Sequence, residues 1–194
     1  MSTKSLVRVL RRPGIHVVYG PPGSFKTTLS LRVGFSASRS KILYVGLARH
    51  SVLHPRESEK LLVKPLPNLK SEFQFLLELE LLSDDIGFLI YDGFSSYFLP
   101  LRFYMRESSI AKIQLFAASK LYAFSQLRNL PVVITTQEVS GRKPLAYKVL
   151  RGFALDFTRV ERTDHVVVYH ICDESLQEKL SGVVEEEELS LEKG

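Results

Sequence analysis

The chain has 194 residues, 45% of them hydrophobic and 24% charged, enough to bury one substantial core and too few for two. Its longest apolar runs, such as 86–91 and 131–134, fall far short of the roughly 20 residues that cross a bilayer, so no transmembrane segment and no membrane partner is expected. The formal net charge is +5, and because residues 185–194 hold five Glu and one Lys, residues 1–184 carry +9, an excess that favours nucleic acid or an acidic protein surface as partner.

Residues 1–12 are charged and lack a sustained apolar run ending in small residues, which makes a poor signal peptide, and a cytoplasmic location is expected. Ile15-His16-Val17-Val18-Tyr19 reads as a strand that ends at a glycine-rich turn, and 26–38 then reads as a helix. A strand at 41–47 and a loop rich in Pro, His and Arg to about 60 follow, then a short apolar segment at 61–63. Phe73, Leu76, Leu77 and Glu80, spaced three and four apart, predict a helix over 71–82. The continuous apolar run 86–91 is that of a buried parallel strand. In 108–129, Ile110, Ile113, Phe116, Ala117, Leu121, Phe124 and Leu127 form one helical stripe, leading into a strand at 131–135 whose first residue is the tolerated proline. Residues 146–171 read as two or three strands with the charged turn Glu161-Arg162-Thr163-Asp164, hence an antiparallel hairpin. Cys172 stands alone, which leaves neither an internal disulfide nor a thiol pair for zinc. The expectation is one α/β domain over 1–184, with a mostly parallel central sheet flanked by helices and a C-terminal antiparallel hairpin, followed by a disordered acidic tail over 185–194.

A strand, a glycine-rich turn and Lys-Thr opening a helix form the context of a phosphate-binding loop, here Gly20, Pro21, Pro22, Gly23, Ser24, Phe25, Lys26, Thr27 and Thr28. Backbone N–H groups and a helix N-terminus face the phosphates, Lys26 reaches the outer oxygens and the Thr27 hydroxyl binds Mg2+. The competing reading is a plain Pro/Gly turn followed by a chance Lys-Thr. Phe25 stands where glycine normally precedes the lysine; its side chain would crowd the phosphates, but its N–H remains, so binding is weakened rather than forbidden. Asp92 follows Phe88-Leu89-Ile90-Tyr91 at the carboxyl end of a buried strand, where open parallel sheets place ligands, and suits the aspartate that orients the water shell of Mg2+. Alone it would read as the start of an Asp-Gly turn; behind an upstream phosphate-binding loop, the metal role is preferred.

The order of these parts resembles the RecA/RadA recombinase superfamily, especially the short archaeal RadA paralogues of RadC-like type that comprise only the ATPase core. The resemblance spans Gly14 to about Ile171 and is carried by Gly20 to Thr28, by Phe88-Leu89-Ile90-Tyr91-Asp92-Gly93-Phe94-Ser95-Ser96 and by Val132-Val133-Ile134-Thr135-Thr136-Gln137. It implies a RecA-like P-loop core, ATP and Mg2+ as cofactors, a catalytic part for Lys26, and for Gln137 a sensor of the terminal phosphate that signals to a DNA-binding loop. It also implies single-stranded DNA as a partner, and a RadA-type recombinase or another paralogue as a possible second. Departures temper these implications. Family members carry a catalytic glutamate after the second strand, where this chain has Ala48, so hydrolysis should be slow or absent unless Glu57 or Glu59 substitutes. The second DNA-binding loop, 138–144, is short, and neither an N-terminal helical domain nor a Phe-x-x-Ala polymerisation motif is found, which argues against strand exchange by a self-assembled filament.

Arg102 and Arg106, beside Phe103 and Tyr104, together with Arg142 and Lys143 are the candidate DNA contacts, since aromatics beside cations suit single strands; the alternative is a surface loop over packed aromatics. His50 and His54 have helical metal-ligand spacing but no evident third ligand, and read as surface histidines. The function expected is an ATP-binding paralogue that modulates homologous recombination and DNA repair. The rivals are a regulatory interaction protein on the same scaffold that never touches DNA, and an active ATPase of KaiC-like or other P-loop type.

Overall fold

The computed structural model describes residues 3–46, 59–94, 96 and 98–189. The elements are α1 (Thr3–Leu10), β1 (Gly14–Gly20), α2 (Lys26–Ala37), β2 (Lys41–Gly46), β3 (Leu61–Pro65), α3 (Leu69–Glu78) with a tighter turn at Leu79–Leu81, β4 (Ile86–Tyr91), α4 (Phe98–Leu101), α5 (Glu107–Arg128), β5 (Pro131–Val139), β6 (Lys143–Pro144), α6 (Tyr147–Leu150), β7 (Ala154–Thr163), β8 (Val166–Cys172), β9 (Glu178–Glu185) and α7 (Glu186–Leu189). The strands join in one sheet of order β3-β2-β4-β5-β1-β7-β8-β9, with β6 folded back on β5. From β3 to β7 neighbours run parallel, and β7-β8-β9 is an antiparallel meander. This is the expected α/β architecture.

The central strands are apolar on both faces because helices cover both. One layer holds Phe75 and Leu76 of α3, Leu79 of the turn after it, and Ala117, Leu121 and Phe124 of α5 against Val17, Leu89 and Ile134 of the sheet. The other holds Leu6 and Leu10 of α1, Leu29 and Val33 of α2, and Leu189 of α7 against Val18, Ile90 and Val133. Beyond the irregularity at the start of β4, a sheet residue's parity decides which layer it meets, and Phe88 and Ile90 of β4 and the odd residues of β5 face α2.

Several boundaries differ from the sequence reading. Asn68 starts α3 two residues early: its Oδ1 accepts the Ser71 N–H at 2.9 Å while the Ser71 hydroxyl oxygen accepts the Asn68 N–H at 3.2 Å. The buried face of α3 is Glu72, Phe75 and Leu76, not the expected stripe, and Leu77 is exposed. Glu72 points its carboxyl at the Tyr91 hydroxyl, and burial pushes that carboxyl above the usual range. In α5 the stripe runs through Ile110, Gln114, Ala117, Leu121 and Phe124; Leu127, about 100° from Ile110 around the helix, is exposed. Residues 147–150 form a helical turn rather than strand.

The ends also depart from expectation. The N-terminal stretch is an amphipathic helix whose Leu6 and Leu10 are fully buried. The expected disordered tail is ordered as far as Leu189: Glu185 closes β9 and Leu189 is buried in the α2 layer, while residues 190–194 lie outside the described residues. At the amino edge of the sheet, buried His16 meets Asp156 through Nδ1 at 3.0 Å and donates from Nε2 to the Arg12 carbonyl at 2.8 Å, while Arg12 donates to Asp156 at 2.8 Å. Among the described residues, no helix is long and apolar enough to cross a membrane.

Candidate functional site

Because β1, β2, β4 and β5 run parallel, their carboxyl ends share one edge of the sheet. Gly20 ends β1 with no room for a side chain: a Cβ there would lie 2.0 Å from the Val160 carbonyl oxygen of β7. Past it, Pro22 and Gly23 crest the turn, Gly23 at a φ of 76° that favours glycine, and Ser24 is buried beneath. Phe25 takes a left-handed conformation, φ 63°, and its carbonyl accepts from Leu29 N at 2.8 Å as α2 begins at Lys26. The ring packs against the core layer beneath α2 and lies 5.1 Å from the Arg162 guanidinium. The side chain thus packs partly into that layer and partly along the hollow beside Lys26 and Thr27.

Lys26 turns back over the loop. Its ammonium donates to the Gly20 carbonyl at 3.0 Å, the Pro21 carbonyl at 2.6 Å and the Ser24 hydroxyl at 3.3 Å. Burial draws its pKa below the ordinary lysine value, and the negative charges of Asp92 and Glu138 oppose that pull. Thr27 donates to the Asp92 carboxylate, with oxygens 2.9 and 3.0 Å away. Thr28 helps line a hollow of about 430 Å³ with Gly23, Ser24, Phe25, Lys26, Thr27 and Arg162.

Asp92 sits just past β4 on the face covered by α2, its N–H donating to Val45 O at 2.7 Å. Besides Thr27, two hydroxyls that sequence reasoning missed reach its carboxylate: Tyr44 of β2 at 2.5 Å, and Thr135 of β5. Thr135 Oγ1 also accepts from Gly93 N at 2.9 Å, so β5 orients the Asp92 turn. Alternation along β2 and β5 put Tyr44 and Thr135 on the α2 face, and that parity was the available signal. Burial, then the Asp92 charge, pushes the Tyr44 hydroxyl far above its ordinary value, so it stays a donor. Replacing Tyr44 by phenylalanine is expected to cost about 1–2 kcal/mol, a thermal midpoint lower by several degrees, because one charge-assisted bond to Asp92 is lost from a buried position; thermal unfolding followed by circular dichroism measures it.

Gln137 is exposed at the end of β5, opposite Gly20 and on the face that carries Thr135. Arg102 and Arg106 are exposed between α4 and α5, flanking the rings of Phe103 and Tyr104, 88% and 86% exposed. Those rings do not pack beneath the loop. Arg142 and Lys143 sit at the β5–β6 hairpin and line a separate hollow of about 390 Å³ with Arg159, Glu161, His170 and Glu178. Leu47, Ala48, His50, His54, Glu57 and Ser95 lie outside the described residues, and Glu59 is exposed just before β3.

A parallel sheet with a glycine-rich turn after its central strand, an aspartate after a neighbouring strand and an antiparallel carboxyl-terminal extension is the RecA-like fold. The crystal structure of the RadB recombinase is similar, with a TM-score of 0.74 over 95% of this chain and 94% of that one, at 18% sequence identity. No family model and no curated protein matches the sequence. The likeness lies in the fold.

Proposed function

We propose that this protein is an ATP-binding RadA paralogue that acts in the cytoplasm, binds single-stranded DNA or a recombinase, and modulates homologous recombination and DNA repair, with slow or absent hydrolysis. The observation that carries the nucleotide half is the meeting of Lys26, Thr27 and Asp92 at one edge of a RecA-like sheet. The α2 N-terminus contributes about half a positive charge toward that edge. The Thr27 hydroxyl and Asp92 carboxylate are hard oxygen donors of the kind Mg2+ takes, with Asp92 acting through the ion's water shell. The residues present therefore fit Mg2+-ATP, which would sit with its phosphates along Gly20 to Thr28. Lys26 would have to exchange the Gly20 and Pro21 carbonyls for phosphate oxygens, and Gln137 is the proposed reporter of the terminal phosphate.

The DNA half is supported by the exposed aromatic pair between Arg102 and Arg106, a stacking platform set between cations. Arg142 and Lys143 add two exposed cations on the hairpin that follows Gln137. Likeness to a recombinase and the charge of +9 on residues 1–184 point the same way. Fluorescence anisotropy of a labelled single-stranded oligonucleotide, at low salt with and without ATP, tests it. Phe103→Ala with Tyr104→Ala should weaken binding at least tenfold, at about 1–3 kcal/mol per stacked base. Arg102→Ala should weaken binding and reduce the salt slope by about 0.7. If ATP binds and no oligonucleotide does, the regulatory interaction protein replaces this reading; turnover abolished by Lys26→Ala would favour the active ATPase.

A further inference from the structure

β7 runs parallel to β1, with Tyr19 beside Arg159, and continues after β1 has turned into the phosphate-binding loop. Its even residues face α2: Val160 is buried in that layer, and Arg162, two residues on, reaches the mouth of the loop. There the guanidinium lies over the Phe25 ring, 5.1 Å from its centroid, on the rim of the hollow lined by Lys26, Thr27 and Thr28. It also grips Glu186 with a two-pronged contact, Nε to Oε1 at 2.5 Å and Nη2 to Oε2 at 3.0 Å. Glu186 is held in turn, because its N–H donates to the His165 carbonyl at 3.1 Å and Leu189 anchors the same short helix in the core beside α2.

The geometry points to Arg162 as a second cation of the phosphate site, shared between the nucleotide's phosphates and the Glu186 carboxylate, so that the C-terminal segment restrains nucleotide binding. This rests on the reading of the loop as an ATP site. A guanidinium fork accepts a carboxylate and a phosphate by the same paired N–H geometry, so the two acceptors compete for one face. Phe25 then has a use that glycine would not: its ring is a shelf that holds the guanidinium plane at the rim. Arg162 is 49% exposed and Glu186 21%, so the arginine can swing while the glutamate stays seated. Removing Glu186's charge should tighten phosphate binding, and because loss of a nearby negative charge also does so through space, the mark of competition is that the gain disappears once Arg162 is gone.

The experiment is equilibrium binding of two probes, fluorescent ATP and inorganic tripolyphosphate, to the whole chain and its variants. Arg162→Gln should weaken both probes about tenfold, since the contact is to phosphate. Glu186→Gln should tighten both about threefold to tenfold, a gain that misfolding cannot mimic. In the double variant the Glu186→Gln gain should vanish. Arg162→Lys, which keeps the charge and loses the fork, should fall between wild type and Arg162→Gln. Wild type and Lys26→Ala are the controls that separate the two ideas. If wild type binds neither probe, the ATP reading falls and this inference with it. If wild type binds and Lys26→Ala does not, yet Glu186→Gln fails to tighten either probe, the ATP reading stands and the competition is overturned. Loss of ATP affinity in Arg162→Gln with tripolyphosphate unchanged would likewise overturn it, by placing Arg162 on the nucleoside.

Discussion

Replacing Lys26 by alanine is expected to lower ATP affinity by about 100-fold or more while leaving the fold intact. The ammonium lies within hydrogen-bond reach of the loop's own carbonyls, 3.0 Å from Gly20 O and 2.6 Å from Pro21 O. A hydrogen bond to a charged group contributes about 1.5–3 kcal/mol, and two such bonds to phosphate oxygens exceed the 2.8 kcal/mol or so that corresponds to 100-fold. The structural cost is smaller, because Lys26 is only half-buried and Pro21, one of the two residues whose carbonyls it caps, is itself partly exposed. Isothermal titration with Mg2+-ATP, beside a thermal melt of the same sample, separates the two effects. Unchanged affinity in a folded Lys26→Ala protein would remove the phosphate role from this loop.

Gly20→Ala should be the most destabilising single methyl in the site. The new Cβ would stand 2.0 Å from Val160 O and 3.1 Å from Val160 C, both backbone atoms of a paired strand, so relief requires moving β1 or β7 rather than rotating a side chain. Overpacking of that kind costs about 3 kcal/mol, and at about 2–4 °C per kcal/mol for a chain of this size the melting midpoint should fall by roughly 10 °C. Gly23→Ala is the comparison: nothing lies within 4 Å of its Cβ, and only the φ of 76° is penalised. It should lose about 1–2 kcal/mol. Equal melting points for the two variants would contradict the collision at Gly20.

The parts of this protein that were legible in its sequence are those whose causes are contiguous in the chain. The strand, turn and helix around Gly20 to Thr28 follow from apolar residues, two prolines and two glycines within a few positions, and Ile86–Tyr91 carried its own strand signature. Asp92 was legible for the same reason, as the first polar residue after that run. The alternation of short apolar strands with longer helical stretches also sufficed to indicate a mostly parallel sheet with a terminal hairpin.

What only the tertiary structure decided depends on which strands become neighbours and in what register. Tyr44 and Thr135 stand 48 and 43 residues from Asp92, and parity assigned each a face without saying that β2 and β5 would flank β4. Leu6 and Leu189 fill the same layer from opposite ends of the chain, and an acidic run next to Leu189 disguised its helix as solvated tail. The direction of Phe25 depended on a left-handed backbone and on Arg162 arriving from a strand 137 positions later, neither of which leaves a local trace. Local sequence determines what a segment prefers to be; partners are set by closing long loops around a shared core, a free energy summed over the whole chain and written at no single position.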